Sequence, residues 1–86
     1  MDKQLFKSLI KEHKQITLKV SSTKFIKATV IYSIDDNGDV YELDDIDPMY
    51  RARLFNIEDD KMLQALYDEV LCDVVSHSYD DKFFET

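Results

Sequence analysis

Apolar residues recur at helical spacing in two stretches of the chain, one near its start and one in its second half. In the first stretch, residues 3–13, they are Leu5, Phe6, Leu9 and Ile10, followed by His13. In the second stretch they are Leu63, Leu66, Tyr67, Val70, Leu71, Val74 and Val75. This i, i+3, i+4 pattern predicts two amphipathic helices, and the carboxylates of residues 58–60 favour the start of the second.

Between these stretches the apolar residues alternate with a period of two, which is the spacing of half-buried strands. The first alternation covers residues 16–20, and the second places the even-numbered residues of 26–34 on one face. A third apolar segment, residues 40–43, follows an Asn-Gly pair. The pattern therefore predicts three consecutive strands.

The Asn-Gly pair, residues 37–38, favours a two-residue type I′ turn, because both central positions of that turn need positive φ. A turn at this place pairs Ile34 with Tyr41. It also pairs Tyr32 with Leu43, which keeps one apolar face continuous across the hairpin. The sequence therefore predicts an antiparallel hairpin with this register.

After the third strand, Asp47 and Pro48 match the N-cap and first position of a helix. We therefore expect a short helix over residues 49–55, with an edge strand as the second interpretation. Residues 78–86 predict an irregular tail. Its two phenylalanines would pack either on the domain or in an apolar pocket of a partner.

The order of these elements predicts an α+β fold. It has an N-terminal helix, a three-stranded antiparallel sheet, and one or two C-terminal helices packed on one sheet face. The 86 residues suffice for one domain, residues 1–86, and a single glycine and a single proline leave no room for a linker.

Charge divides the chain into two unequal parts. Residues 1–34 carry seven lysines and two carboxylates, whereas residues 35–86 carry sixteen carboxylates and four basic residues. The two parts have net charges of +5 and −12, which sum to −7. An acidic field of this kind repels nucleic acid and membrane surfaces and attracts proteins with basic grooves. We therefore expect a protein partner.

The acidity is densest in residues 35–47, where seven of thirteen residues are carboxylates. On a strand, Glu42 and Asp44 would lie about 6.8 Å apart on one face, close to the axial separation of two phosphate steps along a DNA strand. The other interpretation is a solvated hairpin whose charges protect an exposed strand edge. The carboxylates that would form a partner surface are Asp35, Asp36, Asp39, Glu42 and Asp44, extended by Asp68 and Glu69 on the last helix.

The residues give little support to catalysis or to a metal site. Two histidines and one cysteine are too few for a zinc site within one chain, and Cys72 and His77 would not share a helix face. An EF-hand over residues 33–44 would need helices where strands are predicted. We therefore expect no enzyme, no metal and no cofactor.

The single cysteine favours a reducing compartment. The first residues lack the apolar run of a signal peptide, and no stretch approaches the about 20 apolar residues of a membrane span. We therefore expect a cytoplasmic protein that does not bind a membrane.

The layout resembles that of small acidic anti-CRISPR proteins of phages, which inhibit the type II-A RNA-guided nuclease. The likeness covers about residues 5–45: a lysine-rich helix, a strand over 16–21, an Asx-rich turn at 35–39 and a tyrosine-containing strand at 40–43. Such inhibitors mimic nucleic acid at the nuclease's site for the short duplex motif beside the target. The resemblance assigns this role to Asp36, Asn37, Gly38, Asp39 and Glu42, and more loosely to Asp68 and Glu69.

The leading hypothesis is therefore a non-enzymatic, phage-encoded inhibitor in the host cytosol, which presents carboxylates to a basic nucleic-acid-binding groove and does not itself bind nucleic acid. The alternative is a small adaptor or self-assembling module, in which the basic first helix of one copy meets the acidic hairpin of another. Arg51 and Arg53, within the acidic part, would bridge to neighbouring carboxylates.

Overall fold

A computed structural model describes residues 1–21, 28–44, 46–47 and 49–79 of the chain. The α+β class is confirmed. The elements in chain order are α1 (Lys3–His13), β1 (Gln15–Val20), β2 (Ala28–Ile34), β3 (Asp39–Leu43), β4 (Arg51–Asn56), α2 (Asp60–Glu69), a 3-10 turn (Leu71–Asp73) and β5 (Val74–Ser78).

The strands form one five-stranded sheet in the order β4-β3-β2-β1-β5. Every pair of neighbours is antiparallel. The predicted three-stranded sheet is therefore wrong, because one further strand joins at each edge. The three predicted strands form the centre of the sheet.

The first helix begins and ends where its pattern predicts. The Asp2 carboxylate accepts a hydrogen bond from the Leu5 N–H at 2.7 Å, which caps the N-terminus. At the other end Lys14 adopts a left-handed conformation with φ 69°, and its N–H donates to the Ile10 carbonyl. The helix buries Phe6 and Ile10 completely against the sheet.

The predicted helix over residues 49–55 is wrong, because residues Arg51–Asn56 form β4 along the edge of β3. Pairing with β4 satisfies the backbone groups along the outer edge of β3, and it buries Phe55 opposite Val40. A short helix over the same residues would leave the β3 edge open. The edge-strand interpretation is correct.

Asp47 caps a single turn instead of a helix. Its carboxylate accepts from the Met49 N–H at 3.2 Å, and its carbonyl accepts from the Tyr50 N–H at 2.9 Å. Pro48, the predicted first residue of the helix, lies outside the described residues. This turn closes the β3–β4 loop, residues 44–50.

The final helix is shorter than its pattern predicts. Helix α2 ends at Glu69, and the chain continues through the 3-10 turn into β5, which pairs with the free edge of β1. Val74 and Val75 fit the helical spacing, but they are β-branched and lie in this strand. The prediction failed because so short an apolar run fits either period.

The β2–β3 hairpin lies where the Asn-Gly pair predicts it, but the turn type and register are wrong. In the β2–β3 turn, residues 35–38, the Gly38 N–H donates to the Asp35 carbonyl at 3.1 Å. Gly38 has φ +86°, whereas Asn37 does not have positive φ. This is a type I turn followed by a glycine bulge, which shifts the register by one residue.

The shifted register changes which side chains share a face. Ile34 pairs with Val40 and Tyr32 with Glu42. Tyr41, predicted on the core face, therefore points to the face of the sheet opposite the helices. The interior side of β3 carries Val40, which is fully buried, and Glu42, which is exposed.

Both helices pack on the same sheet face and enclose a single core. Phe6 and Tyr32 meet edge-to-face, with ring centroids 5.7 Å apart, at the junction of α1 and β2. The opposite sheet face carries no helix among the described residues. The buried core residues are Phe6, Ile10, Ile16, Leu18, Val20, Tyr32, Val40, Phe55, Ile57, Leu63 and Leu71.

The predicted irregular tail over residues 78–86 lies outside the described residues from residue 80 onward. Its first residue, Ser78, belongs to β5. Tyr79 stacks on His13, with ring centroids 3.7 Å apart and rings nearly parallel. In the described ranges, no helix has the length and apolar character needed to cross a membrane.

Candidate acidic interface

The structure places the nine predicted partner-binding residues at four places in the fold. The β2–β3 turn and the start of β3 hold Asp35, Asp36, Asn37, Gly38 and Asp39, and Asp44 begins the loop at the other end of β3. Glu42 projects from β3 on the helix side, and Asp68 and Glu69 lie at the end of α2. One continuous row of carboxylates along the hairpin does not form.

Asp35 is committed to the structure of its own turn. One carboxylate oxygen accepts from the N–H groups of Asn37 and Asp39, both at 2.9 Å. The other accepts from the Tyr41 hydroxyl at 3.0 Å. The Asp39 N–H, together with the Tyr41 and Asn37 donors, holds the pKa of the Asp35 carboxyl below its ordinary value.

Asp39 is paired with a cation. Its carboxylate accepts from the Arg53 guanidinium at 3.0 Å and from the Asn56 side-chain amide at 3.2 Å. The predicted bridge between an arginine and a neighbouring carboxylate is confirmed for Arg53. Arg51 instead lies over the Tyr41 ring, with its guanidinium carbon 4.7 Å from the ring centroid. The charge of Asp39 is therefore largely compensated within the hairpin.

Asp36 and Asn37 are exposed at the tip of the turn. Across a depression of about 300 Å³ they face Lys11 and Lys14 from the end of α1. The basic end of the first helix thus lies beside the acidic turn of the same molecule. The local field at the turn is weaker than its sequence suggests.

A second set of contacts joins the basic and acidic parts of the chain. Glu58 accepts from Lys7 at 3.2 Å and from Lys11 at 2.9 Å. These two ammonium groups, Lys11 first, hold the pKa of the Glu58 carboxyl below its ordinary value. Part of the predicted charge asymmetry is therefore satisfied within one molecule, which removes some of the attraction expected between two copies.

Asp44 shapes the β3–β4 loop as Asp35 shapes the turn. Its carboxylate accepts from the N–H groups of Ile46 at 2.7 Å and Asp47 at 3.1 Å. These donors, that of Ile46 first, hold the pKa of the Asp44 carboxyl below its ordinary value. Unlike Asp39, Asp44 forms no ion pair within the described part of the chain.

Glu42 and Glu69 form the pair of carboxylates that we call the acidic patch. Burial raises the pKa of the Tyr32 hydroxyl, and the nearby charges of Glu42 and Glu69 raise it further. The two carboxylates, one from β3 and one from α2, therefore both act electrostatically on the same phenol. Neither has an ion-pair partner among the described residues, and both side chains are exposed.

Asp68 precedes the patch on α2 but has a polar partner. Its carboxylate accepts from the Gln64 side-chain amide at 2.9 Å, one turn earlier on the helix. It therefore contributes charge beside the acidic patch without belonging to it.

Three exposed apolar side chains in the β3–β4 loop were missed by the sequence reasoning. Ile46, Met49 and Tyr50 are 93%, 91% and 70% exposed. Large apolar side chains this exposed often mark a contact surface when they cluster. The available signal was three apolar residues within five positions, in a segment otherwise made of aspartate and proline.

The described residues contain no group of three or more histidine, cysteine or acidic side chains arranged to hold a metal ion. Cys72 is exposed, and its Sγ lies 3.4 Å from the Asp68 carbonyl. In the parts of the chain that the structure describes, no polar or charged residue is buried. The geometry thus offers an acidic surface rather than a closed polar pocket.

Comparison with protein family models, curated proteins and solved structures finds no match to this chain. The resemblance to anti-CRISPR proteins therefore stays a prediction.

Proposed function

We propose that this chain is a non-enzymatic inhibitor that binds a basic nucleic-acid-binding groove of another protein, such as the type II-A RNA-guided nuclease of a phage host. The observation that carries the proposal is the acidic patch. Glu42 and Glu69 come from different elements, both act electrostatically on the Tyr32 hydroxyl, and lack a compensating cation in the described part of the chain.

The rigidity of the patch supports this role. Tyr32 is 1% exposed and is held between α1 and the sheet, and Glu42 faces it in the register of β2 and β3. A carboxylate on a paired strand loses less conformational freedom on binding than one on an unpaired segment. Two solvated carboxylates carried on an ordered strand and helix suit a groove whose lysines and arginines normally meet phosphates.

The β3–β4 loop supplies the apolar component of such a surface. Strand β3 leads from Glu42 into this loop within two residues, so the patch and the loop belong to one edge of the molecule. Interfaces draw most of their binding energy from a few buried anchors, with charges setting orientation and rate. Met49 and Tyr50 are the candidate anchors, and Glu42 and Glu69 are the orienting charges.

The test is competition for duplex DNA by the guide-loaded type II-A nuclease in an electrophoretic mobility assay. We expect the chain to prevent duplex binding, with a stronger effect at low salt. The double variant Glu42→Gln with Glu69→Gln should lose about tenfold in potency. A matched control, Glu12→Gln with Asp60→Asn, removes the same charge from exposed positions outside the patch and should retain potency.

Equal losses in the two double variants would show that only net charge matters and would contradict the acidic patch as the site. Binding of the chain itself to the duplex would contradict mimicry. Unchanged duplex binding by the nuclease at saturating chain would remove this nuclease as the partner.

A second candidate function, self-assembly, is favoured by the β5 edge. Residues 74–78 carry no lysine, acidic residue or proline, and Val75 is 68% exposed. Edge strands usually carry such residues as protection against pairing with another chain. The helix-to-hairpin mode is disfavoured, since Lys7 and Lys11 already pair with Glu58.

Sedimentation equilibrium separates this second function from the first. If β5 pairs between copies, the chain dimerises and Val75→Lys restores the monomer, whereas Ala52→Lys on the β4 edge does not. A monomer at high concentration and high salt, where repulsion is screened, would exclude self-assembly.

A further inference from the structure

The described cations fall into two groups. Lys7, Lys11 and Arg53 form ion pairs. The other described lysines and arginines form none: Lys3 donates to Gln64, whereas Lys14, Lys19, Arg51 and Lys61 make neither an ion pair nor a side-chain hydrogen bond within the described part of the chain. On a protein with net charge −7, cations that remain unpaired are notable, because carboxylates are abundant.

Two of these unpaired cations, Lys14 and Arg51, line the same groove. The groove has a volume of about 470 Å³ and lies on the sheet face that the helices leave uncovered. Its size falls within the range of small-molecule sites. Its lining contains no carboxylate and consists of Lys14, Gln15, Ser33, Ile34, Leu43, Met49 and Arg51.

The two cations lie at opposite ends of the groove. Lys14 directly precedes β1 and Arg51 begins β4, so their backbones are separated by three strand spacings, about 14 Å, across the sheet and by three residues, about 10 Å, along the strands. Between them the groove is lined by Ser33, Leu43 and Ile34; Ser33 and Leu43 project on this sheet face, whereas the Ile34 side chain packs against the core on the other face. The arrangement is a cation, an apolar and hydroxylic floor, and a second cation.

Both cations are positioned by neighbouring structure. The Asp35 carboxylate holds the Tyr41 hydroxyl at 3.0 Å, and the Arg51 guanidinium lies over the Tyr41 ring. The Lys14 backbone is fixed by its left-handed conformation and by the bond from the Ile34 N–H to its carbonyl at 3.1 Å, and its side chain is exposed. Two cations on fixed attachment points recognise a spacing as well as a charge.

We propose that this groove binds a linear dicarboxylate, with one carboxylate at Lys14, the other at Arg51 and an apolar chain between them. The Arg51 guanidinium can hold a carboxylate through two parallel N–H donors, and the Lys14 ammonium holds the second as a point charge. The alkyl chain covers the Leu43 side chain. The proposal concerns the sheet face opposite the helices and does not depend on the proposed inhibitor function.

The experiment is a titration of the full chain with decanedioate at low salt, followed by amide chemical shifts in ¹⁵N-labelled protein. We expect saturable shifts at Gln15, Ser33 and Leu43. Decanoate has one carboxylate, and butanedioate is too short to span the two cations. We expect each of them to bind at least about threefold more weakly than decanedioate.

Matched variants locate the site. Arg51→Gln and Lys14→Asn, in which asparagine tolerates the left-handed conformation, should each weaken decanedioate binding about fivefold or more. Arg53→Gln removes the same charge two residues away on β4, and Lys61→Gln removes an exposed cation on α2. Both controls should bind decanedioate like the parent chain.

Three results would overturn the proposal. One is the absence of saturable shifts with decanedioate. Another is equal affinity for decanoate and decanedioate, or an equal loss in the Arg53→Gln control. The third is broadening of the groove amides with protein concentration alone, which would assign the groove to a second copy of the chain.

Discussion

The β2–β3 turn and the β3–β4 loop lie at opposite ends of β3, and each is shaped by an aspartate that accepts backbone N–H groups. In the turn, Asp35 also binds Tyr41 and Asp39 pairs with Arg53. In the loop, Asp44 accepts only backbone donors, and the side chains of Met49 and Tyr50 extend into solvent. Acidic residues are thus bonded to other side chains at one end of β3, whereas at the other end the acidic residue bonds only to the backbone of its own loop.

This difference shows that the density of carboxylates along a sequence does not locate available charge. The turn and the start of β3 hold five of the nine predicted site residues, and the carboxylates of Asp35 and Asp39 are bonded internally. The patch of Glu42 and Glu69 is less conspicuous in the sequence, but its charges lack partners in the described ranges. A binding surface is better sought among unpaired charges than among clustered ones.

The largest expected effect comes from breaking the turn. Gly38→Val places a β-branched residue at φ +86°, with its Cβ 3.3 Å from the Asn56 side-chain nitrogen. We expect a loss of about 2–3 kcal/mol in the free energy of unfolding, measured by urea denaturation. Asn37→Val, one residue earlier and without positive φ, is the control and should lose much less.

Equal losses in these two valine variants would mean that the left-handed conformation at residue 38 does not set the register. The hairpin would then tolerate the type I′ turn that the Asn-Gly pair favours.

A smaller effect is expected from removing the aspartate of each segment. Asp35→Ala removes the acceptor of three hydrogen bonds and frees Tyr41, whereas Asp44→Ala removes the acceptor of two backbone bonds. We therefore expect the denaturation midpoint to fall more for Asp35→Ala. An equal or larger fall for Asp44→Ala would contradict the view that the turn is the structural end of β3.

The smallest effect is a dependence of stability on pH. The pKa values of Asp35 and Asp44 are lowered by folding from an ordinary value of 3.8, so the unfolded chain binds these protons more tightly. Their contribution to stability is complete above that value and is lost as pH falls through the lowered folded-state pKa values. Denaturation midpoints measured in acid should therefore decline less steeply in Asp35→Ala than in the parent chain.

If the denaturation midpoint of Asp35→Ala declined with falling pH as steeply as that of the parent chain, the acid sensitivity would come from another carboxylate. Glu58, whose pKa is lowered by Lys11 and Lys7, is the next candidate. High salt should reduce a slope that depends on these exposed ion pairs more than one that depends on hydrogen bonds.

The sequence predicts those parts of the fold that local patterns determine. Helix α1 has a capping aspartate and one apolar stripe, and the alternation in β1 and β2 has one period. Strand β4 was predicted only as the second interpretation and strand β5 was not predicted, because each forms by pairing with a distant edge. Val74 and Val75 fit both a helix and a strand until the free edge of β1 is known.

For the candidate site, the sequence predicts which segment is acidic but not which of its carboxylates are paired. That residues 35–47 are acidic is plain from the sequence, but the pairing of Asp39 with Arg53 depends on β4 lying beside β3. The electrostatic effect of Glu69 on Tyr32, beside that of Glu42, likewise depends on where α2 ends. Charge pairing across elements follows from tertiary structure, which local spacing does not encode.

The pairing of β5 with β1 has a consequence for the order of folding. Strand β1 spans residues 15–20 and its partner spans 74–78, so the sheet closes only after more than fifty intervening residues have been made. The Met1 ammonium likewise donates to the Leu71 carbonyl, 70 positions away, at 3.0 Å. Contacts of such sequence separation are formed late and slowly. During synthesis, the edge of β1 that pairs with β5 therefore stays unpaired until β5 has left the ribosome.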